Sequence, residues 1–214
     1  MLHVYSTNKF LPICHLSFVF ESGRFMMALL AFEKVFVAAV NGPAVGIGVT
    51  LLMHCDLVYC TGNATFWVPF TRIALVPEFC SSMTFVEAMG MSNANELLLL
   101  GKKINAERAV LDRIVSGIVD VNITNSSAKD DSNAFASESI GSKVCQELDE
   151  RLFQLCHGDK SAGIFVKMIR GRSKRRREFE ILCREELSQL DKRLRNGEVL
   201  EAALNLNLSK NSKL

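Results

Sequence analysis

Glu78 is the one charged residue in the stretch Ala74-Leu75-Val76-Pro77-Glu78-Phe79-Cys80-Ser81-Ser82. A single carboxylate in apolar company is a candidate general acid or base. It also has a structural reading. Pro77 suits the first position of a helix, and acids in a first helical turn are favoured by the helix dipole. The residue types alone leave both readings open.

Other residues could do chemistry. Gly46 and Gly48 flank Ile47, and glycines so placed let a backbone approach a ligand closely and open a helix N-terminus. A tight turn packed for its own sake reads the same way. Trp67, Phe70 and Phe79 can line an apolar pocket or fill a core. His54, on an apolar segment, reads as a core histidine. Arg170, Arg172, Lys174, Arg175, Arg176 and Arg177 form a basic run. It can meet phosphates, with Arg170 and Lys174 the chosen contacts, or resemble a nuclear-localisation patch. It can equally be a solvated helix face beside Glu178, Glu180, Glu185 and Glu186. The seven cysteines form no CxxC pair and do not cluster with the four histidines. They read as reduced, mostly buried thiols of an intracellular protein, and no metal site is expected.

The elements that must carry these residues follow from local patterns. Phe18–Phe32 reads as a helix. Val35–Val40 is an unbroken apolar run, suited to a strand buried on both faces. Asn41-Gly42-Pro43 marks a turn, followed by a helix over Ala44–His54. Leu57–Cys60 and Ala64–Val68 read as strands. Pro77 is expected to open a helix that Gly90 closes, with another over Ser92–Leu100. Asn105 suits an N-cap for the helix beginning Ala106-Glu107-Arg108. Residues 121–142 are rich in Ser, Asn and Asp and read as a polar loop, and residues 143–206 as a helical region. Residues 207–214 read as a tail.

Composition supports a folded α/β protein. The 214 residues are 49% hydrophobic and 22% charged, with mean hydropathy +0.17. A net charge of +2 gives no support for a general nucleic-acid binder. Val35–Cys55 lacks Asp, Glu, Lys and Arg, but its Asn-Gly-Pro turn argues against a membrane span. A basic n-region and a small-residue cleavage site, as in a secretory signal, are missing at the start.

An ordered series of motifs goes further. Lys34, then Ala39-Val40-Asn41-Gly42, then Ala44-Val45-Gly46-Ile47-Gly48 are followed by Cys55-Asp56-Leu57-Val58, Ala64-Thr65-Phe66 and Asn95–Ala109. In this order and spacing they resemble the crotonase (enoyl-CoA hydratase/isomerase) family over roughly residues 18–120. The resemblance implies a crotonase-like (ClpP/crotonase) spiral of ββα units over residues 1–120, shortened at its N-terminus, with C-terminal helices. It implies an acyl-CoA or enoyl-CoA substrate and no separate cofactor, CoA being part of the substrate. It implies that the backbone N–H of Ile47 stabilises a developing thioester oxyanion, with Ala44, Gly46, Gly48, Phe70 and Phe79 around the substrate.

Two glutamates that add water in the family's hydratases fall here at Thr50 and Phe70, neither of which can serve as a base. Glu78 remains. In a subgroup resembling the peroxisomal Δ3,Δ2-enoyl-CoA isomerases, a lone glutamate follows proline at this place, and one base suffices for a double-bond shift. The expected activity is therefore a Δ3,Δ2-enoyl-CoA isomerase of fatty-acid β-oxidation. The alternative is a non-catalytic acyl-CoA-binding or protein-interaction module, as in the chromodomain-linked relatives of that subgroup. The chain departs from the pattern at Val35 (usually Pro), and at Ala74 and Phe79 (usually Gly). Crotonases assemble as trimers or hexamers, which the resemblance implies here. Ser212-Lys213-Leu214 matches the peroxisomal address, with an import receptor as the implied partner.

Overall fold

The computed structural model describes residues 11–119 and 173–211, together with Gln146, Leu148, Ile164, Met168 and Ile169. The polar loop expected over 121–142, Arg170 and the Ser212-Lys213-Leu214 tripeptide lie outside the described residues. So do the Lys174 side chain and the rest of the 143–172 region.

Helix α1 spans Leu11–Leu30. Strand β1 (Val37–Val40) then runs parallel to β3 (Leu57–Thr61), with Val37 opposite Leu57. Strand β2 (Pro43–Val45) runs parallel to β4 (Thr65–Trp67), with Pro43 opposite Thr65. The chain thus repeats one motif. A strand enters the first sheet, a short turn carries the chain into the second sheet, and a helical segment returns it. Helix α2 (Ile47–Thr50), continued by a 3-10 turn over Leu51–His54, closes the first repeat. Helix α3 (Ser81–Leu98) closes the second. Strand β5 (Ile104–Asn105) adds antiparallel to β4. Helix α4 (Ala106–Leu111) leads to β6 (Gly117–Val119), parallel to β3. The resulting sheet orders are β1-β3-β6 and β2-β4-β5. This is the spiral of ββα units, and its helices pack on both sheets to bury Val49, Phe66, Phe85, Leu97 and Ile114 in one core.

Several local readings hold. The Asn105 side chain accepts a hydrogen bond from the Arg108 N–H at 3.0 Å, the N-cap geometry. Gly90 breaks α3, with φ 79° and ψ 160° between two helical segments. Two readings are corrected. The segment after Asn41-Gly42 is not helical from Ala44. Pro43–Val45 pairs with β4 instead, and the helix begins only at Ile47. Pro77 does not open α3, which starts four residues later at Ser81. In both cases a partner distant in sequence captured residues whose local pattern favoured helix. The uncharged Val35–Cys55 segment is divided among β1, β2, α2 and the 3-10 turn. Among the described residues no helix is long and apolar enough to cross a membrane.

Ala74 closes the 3-10 turn over Thr71–Ile73 in the left-handed region, φ 54° and ψ 24°, where the Leu75 N–H reaches back to the Phe70 carbonyl. An L-residue there is strained. Ala74→Gly is expected to stabilise the fold by about 1 kcal/mol, read as a raised urea midpoint at unchanged slope. The C-terminal helices α5 (Ser173–Arg195) and α6 (Glu198–Asn211) complete the described structure. Helix α5 lies along α1, and α6 packs on the Thr71–Ile73 turn. Gly23 permits the close approach of α5: a Cβ there would stand 3.1 Å from the Leu187 Cδ1.

Candidate functional site

Glu78 lies in the connection between the Thr71–Ile73 turn and α3, not in a helical turn, so the dipole of a first helical turn is not what placed it. Its carbonyl accepts the Ser81 N–H at 3.1 Å. The next two residues, Phe79 (φ 55°) and Cys80 (φ 60°), are both left-handed and swing the chain into α3. Such geometry for two non-glycine residues costs of order 1–3 kcal/mol each and persists only where the surroundings enforce it. They do so here. Phe79 is fully buried, stacked on the His54 ring at a centroid separation of 4.1 Å. The His54 Nε2–H donates to the Phe79 carbonyl at 2.7 Å, since a carbonyl only accepts. Phe79 therefore occupies a backbone geometry that favours glycine, and its packing holds it there.

Met26 of α1 and Cys183 of α5 complete a small apolar cluster with Phe79 and Cys80, against which Ile47, Leu51, Phe179 and Leu187 also pack. In this low-polarity setting the Glu78 carboxyl is pushed from its ordinary value up to about 7. Burial is the main cause and the negative charge of Glu186 the second. The Cys80 thiol is also pushed up, by its hydrogen bond with Cys183 and by burial, so it remains protonated.

Glu186 was not singled out as a site residue, and the reading of the α5 acids as a solvated face is corrected for it. It is 7% exposed. Its Oε2 accepts the Cys80 N–H at 2.6 Å, and its Oε1 accepts the Ser82 N–H at 3.2 Å and the Ser82 Oγ–H at 2.5 Å. Burial raises its proton affinity while those three donors oppose the rise. A signal for it existed. Cys183, Glu186 and Leu190 follow helical spacing and are all buried, so the acid sits inside the apolar stripe of α5.

The turn Val45-Gly46-Ile47 forms the second part of the site. Gly46 has φ 57° and ψ −121°. Its N–H donates to the Trp67 carbonyl at 2.9 Å, and its carbonyl accepts from the Val49 and Thr50 N–H groups at 2.8 and 3.2 Å. Ile47 and Gly48 follow as the first two positions of α2, where N–H groups have no intrahelical acceptor. Ile47 packs against the cluster that contains Phe79, which brings the turn beside the Glu78 loop.

The remaining expected residues pack next to this turn as part of the larger core. Ala44 and Phe70 belong to the larger core, where Phe70 is 3% exposed, and a Cβ added at Gly48 would stand 4.0 Å from that of Ala44. Thr50 is buried, its Oγ–H directed at the Ile47 carbonyl at 3.4 Å. Thus neither Thr50 nor Phe70 is an acid, and both are packed inside.

Two cavities lie apart from Glu78. An apolar groove of about 770 Å³ runs between α1 and α5, lined by Phe20, Phe25, Met27 and Leu187 with Arg24 and Arg184. A pocket of about 450 Å³ is lined by Asp56, Arg113 and Ser116 among apolar residues. Among the described residues no cluster of His, Cys, Asp and Glu has the makings of a metal site.

Residues 16–140 match the sequence profile of the enoyl-CoA hydratase/isomerase family. Over 95 residues, 44% of this chain, the sequence is 47% identical to the rat enoyl-CoA delta isomerase 2, covering 24% of that protein. The same share of the chain is 43% identical to the mouse peroxisomal enoyl-CoA delta isomerase 3, covering 30% of it. It is 40% identical to the human testis-specific chromodomain protein Y 1, covering 18% of it. The matched stretch therefore spans less than a third of each of these relatives. Among solved structures, an enoyl-CoA hydratase/isomerase from Pseudoalteromonas atlantica T6c superposes with a TM-score of 0.71 at 28% identity, over 87% of this chain and 66% of that one.

Proposed function

Since this chain belongs to the enoyl-CoA hydratase/isomerase family, we propose that it is a Δ3,Δ2-enoyl-CoA isomerase in which Glu78 carries the proton. One observation carries the reading: the Glu78 carboxyl is poised near pH 7 beside the Ile47 turn, while Thr50 and Phe70, where the family resemblance would put the two acids that hydration needs, carry none.

A carboxyl balanced near neutrality suits a base that must also act as the acid. Ionised Glu78 takes one proton from C2 of a 3-enoyl thioester. The electron pair released spreads through C2, C3 and C4 and onto the thioester oxygen, forming a dienolate. The Ile47 N–H, free of an intrahelical acceptor, is the donor proposed for that oxygen. Glu78 then returns the proton to C4, leaving the double bond between C2 and C3. The proton stays on one carboxylate and no electrons enter or leave, so no separate cofactor is needed. Identity to the delta isomerases supports this direction, and the peroxisomal relative supports the peroxisome as the compartment.

The test is conversion of a trans-3-enoyl-CoA to the 2-enoyl-CoA by the purified chain, with hydration of the 2-enoyl-CoA assayed beside it. Isomerisation without hydration is expected. Hydration as the principal activity would overturn the proposal. A folded chain that binds acyl-CoA and turns over neither substrate would replace it with the binding-module reading, which the match to a chromodomain protein favours.

A further inference from the structure

The N-terminal end of α3 is not capped by its own sequence. Cys80, at the N-cap position, makes no side-chain capping bond. The partner comes instead from α5, more than a hundred residues later, where Glu186 places both carboxylate oxygens on the Cys80 and Ser82 N–H groups and on the Ser82 hydroxyl. Of the two peptides it grips, one lies in the strained turn that directs the chain away from Glu78 and the other in the first turn of α3. We propose that Glu186 is a positioning residue for Glu78: its carboxylate pins the turn that presents the base, and its charge sits on the Cys80 N–H, two residues beyond the base.

This rests on the reading of Glu78 as the base, and it makes the C-terminal helix part of the active centre. A neutral cap would satisfy the α3 N–H groups as well as a charged one does in part. What only an ionised Glu186 adds is repulsion toward a second carboxylate in a site of low polarity. Two such acids titrate as a pair, each curve bearing the imprint of the other. The ionisable groups around Glu186 come from several elements. The α3 connection supplies Glu78 and Cys80, α5 supplies Cys183 and Arg184, and the 3-10 turn before β3 supplies His54 through its bond to Phe79. Cys80 stays neutral, and Arg184 is exposed at the outer groove, so Glu186 is the charge that opposes ionisation of Glu78.

The experiment follows the glutamate side-chain carboxyl signals by 13C NMR from pH 4 to 9 in the full chain, assigned with Glu78→Gln and Glu186→Gln. In Glu186→Gln the Glu78 midpoint is expected to fall by about one pH unit, the residual elevation being that of burial. The acid limb of the kcat–pH profile should move with it, while KM changes little. An unmoved midpoint in a folded Glu186→Gln protein overturns the proposal. Where that variant fails to fold, the wild-type curves decide: two-step titrations shared by Glu78 and Glu186 support the coupling, and independent single steps overturn it. The readout is separate from turnover. Should Glu78→Gln remain an active isomerase, the base assignment fails while the coupling stands. Should Glu78→Gln be inactive with no coupling seen, the positioning role alone fails.

Discussion

Glu78→Gln is expected to lower isomerase kcat by at least about 10²-fold and, in the same protein, to raise stability at pH 8. The loss of activity follows because an amide neither accepts the C2 proton nor returns one to C4. The gain in stability follows from the direction of the carboxyl's shift. Folded Glu78 holds its proton up to about pH 7, against the ordinary 4.5. Below 4.5 the carboxyl is protonated in both folded and unfolded chains, and its presence makes no difference between them. Between 4.5 and 7 the folded chain binds a proton that the unfolded chain has lost, so stability declines as the pH rises through this window. Above 7 the half-buried carboxylate opposes folding by about 3 kcal/mol. The amide does not ionise and escapes this. Thermal melts of both proteins at pH 5 and pH 8 check the prediction: the variant's advantage should be small at the lower pH and several degrees at the higher. An inactive variant with no added stability at pH 8 would mean that Glu78 is not held near neutrality. An active one would place the base on another residue.

Gly46→Ala is expected to reduce kcat by about 10²–10³-fold and to cost about 1–3 kcal/mol of stability. The penalty does not come from crowding, because an added Cβ would meet its nearest neighbour, the Phe70 Cε1, at an ordinary 4.0 Å. It comes from the backbone, since φ 57° with ψ −121° is a conformation that residues with a Cβ avoid. The chain relieves the strain by rotating the peptide between residues 46 and 47, and that rotation turns the Ile47 N–H away from its present direction. The hydrogen bonds from the Val49 and Thr50 N–H groups to the Gly46 carbonyl resist the same rotation, so stability and kcat fall together. Steady-state kinetics beside urea unfolding test this. A variant that is destabilised yet keeps full kcat would remove Ile47 from the oxyanion role.

The parts of this protein that were legible in sequence are those whose cause is local. β1 and β3 came from apolar runs bounded by turn residues, the α4 cap from Asn105 three residues before Arg108, and the break in α3 from Gly90. Glu78 was legible because a lone acid in an apolar stretch is visible without a structure. Tertiary structure decided the rest. Pro43–Val45 became a strand because Thr65–Trp67 offers it a parallel partner, which no local pattern encodes. Pro77 failed to start α3 because burial of Phe79 against His54 outweighed two left-handed residues before Ser81. The proton affinity of Glu78 depends on its burial beside the cluster that Met26, Phe79 and Cys183 form from three separate elements, and on the charge of Glu186 from α5. Residue types specify which group can hold a proton. How tightly it is held depends on the polarity and charge brought around it, and chain segments more than a hundred residues apart in sequence set both.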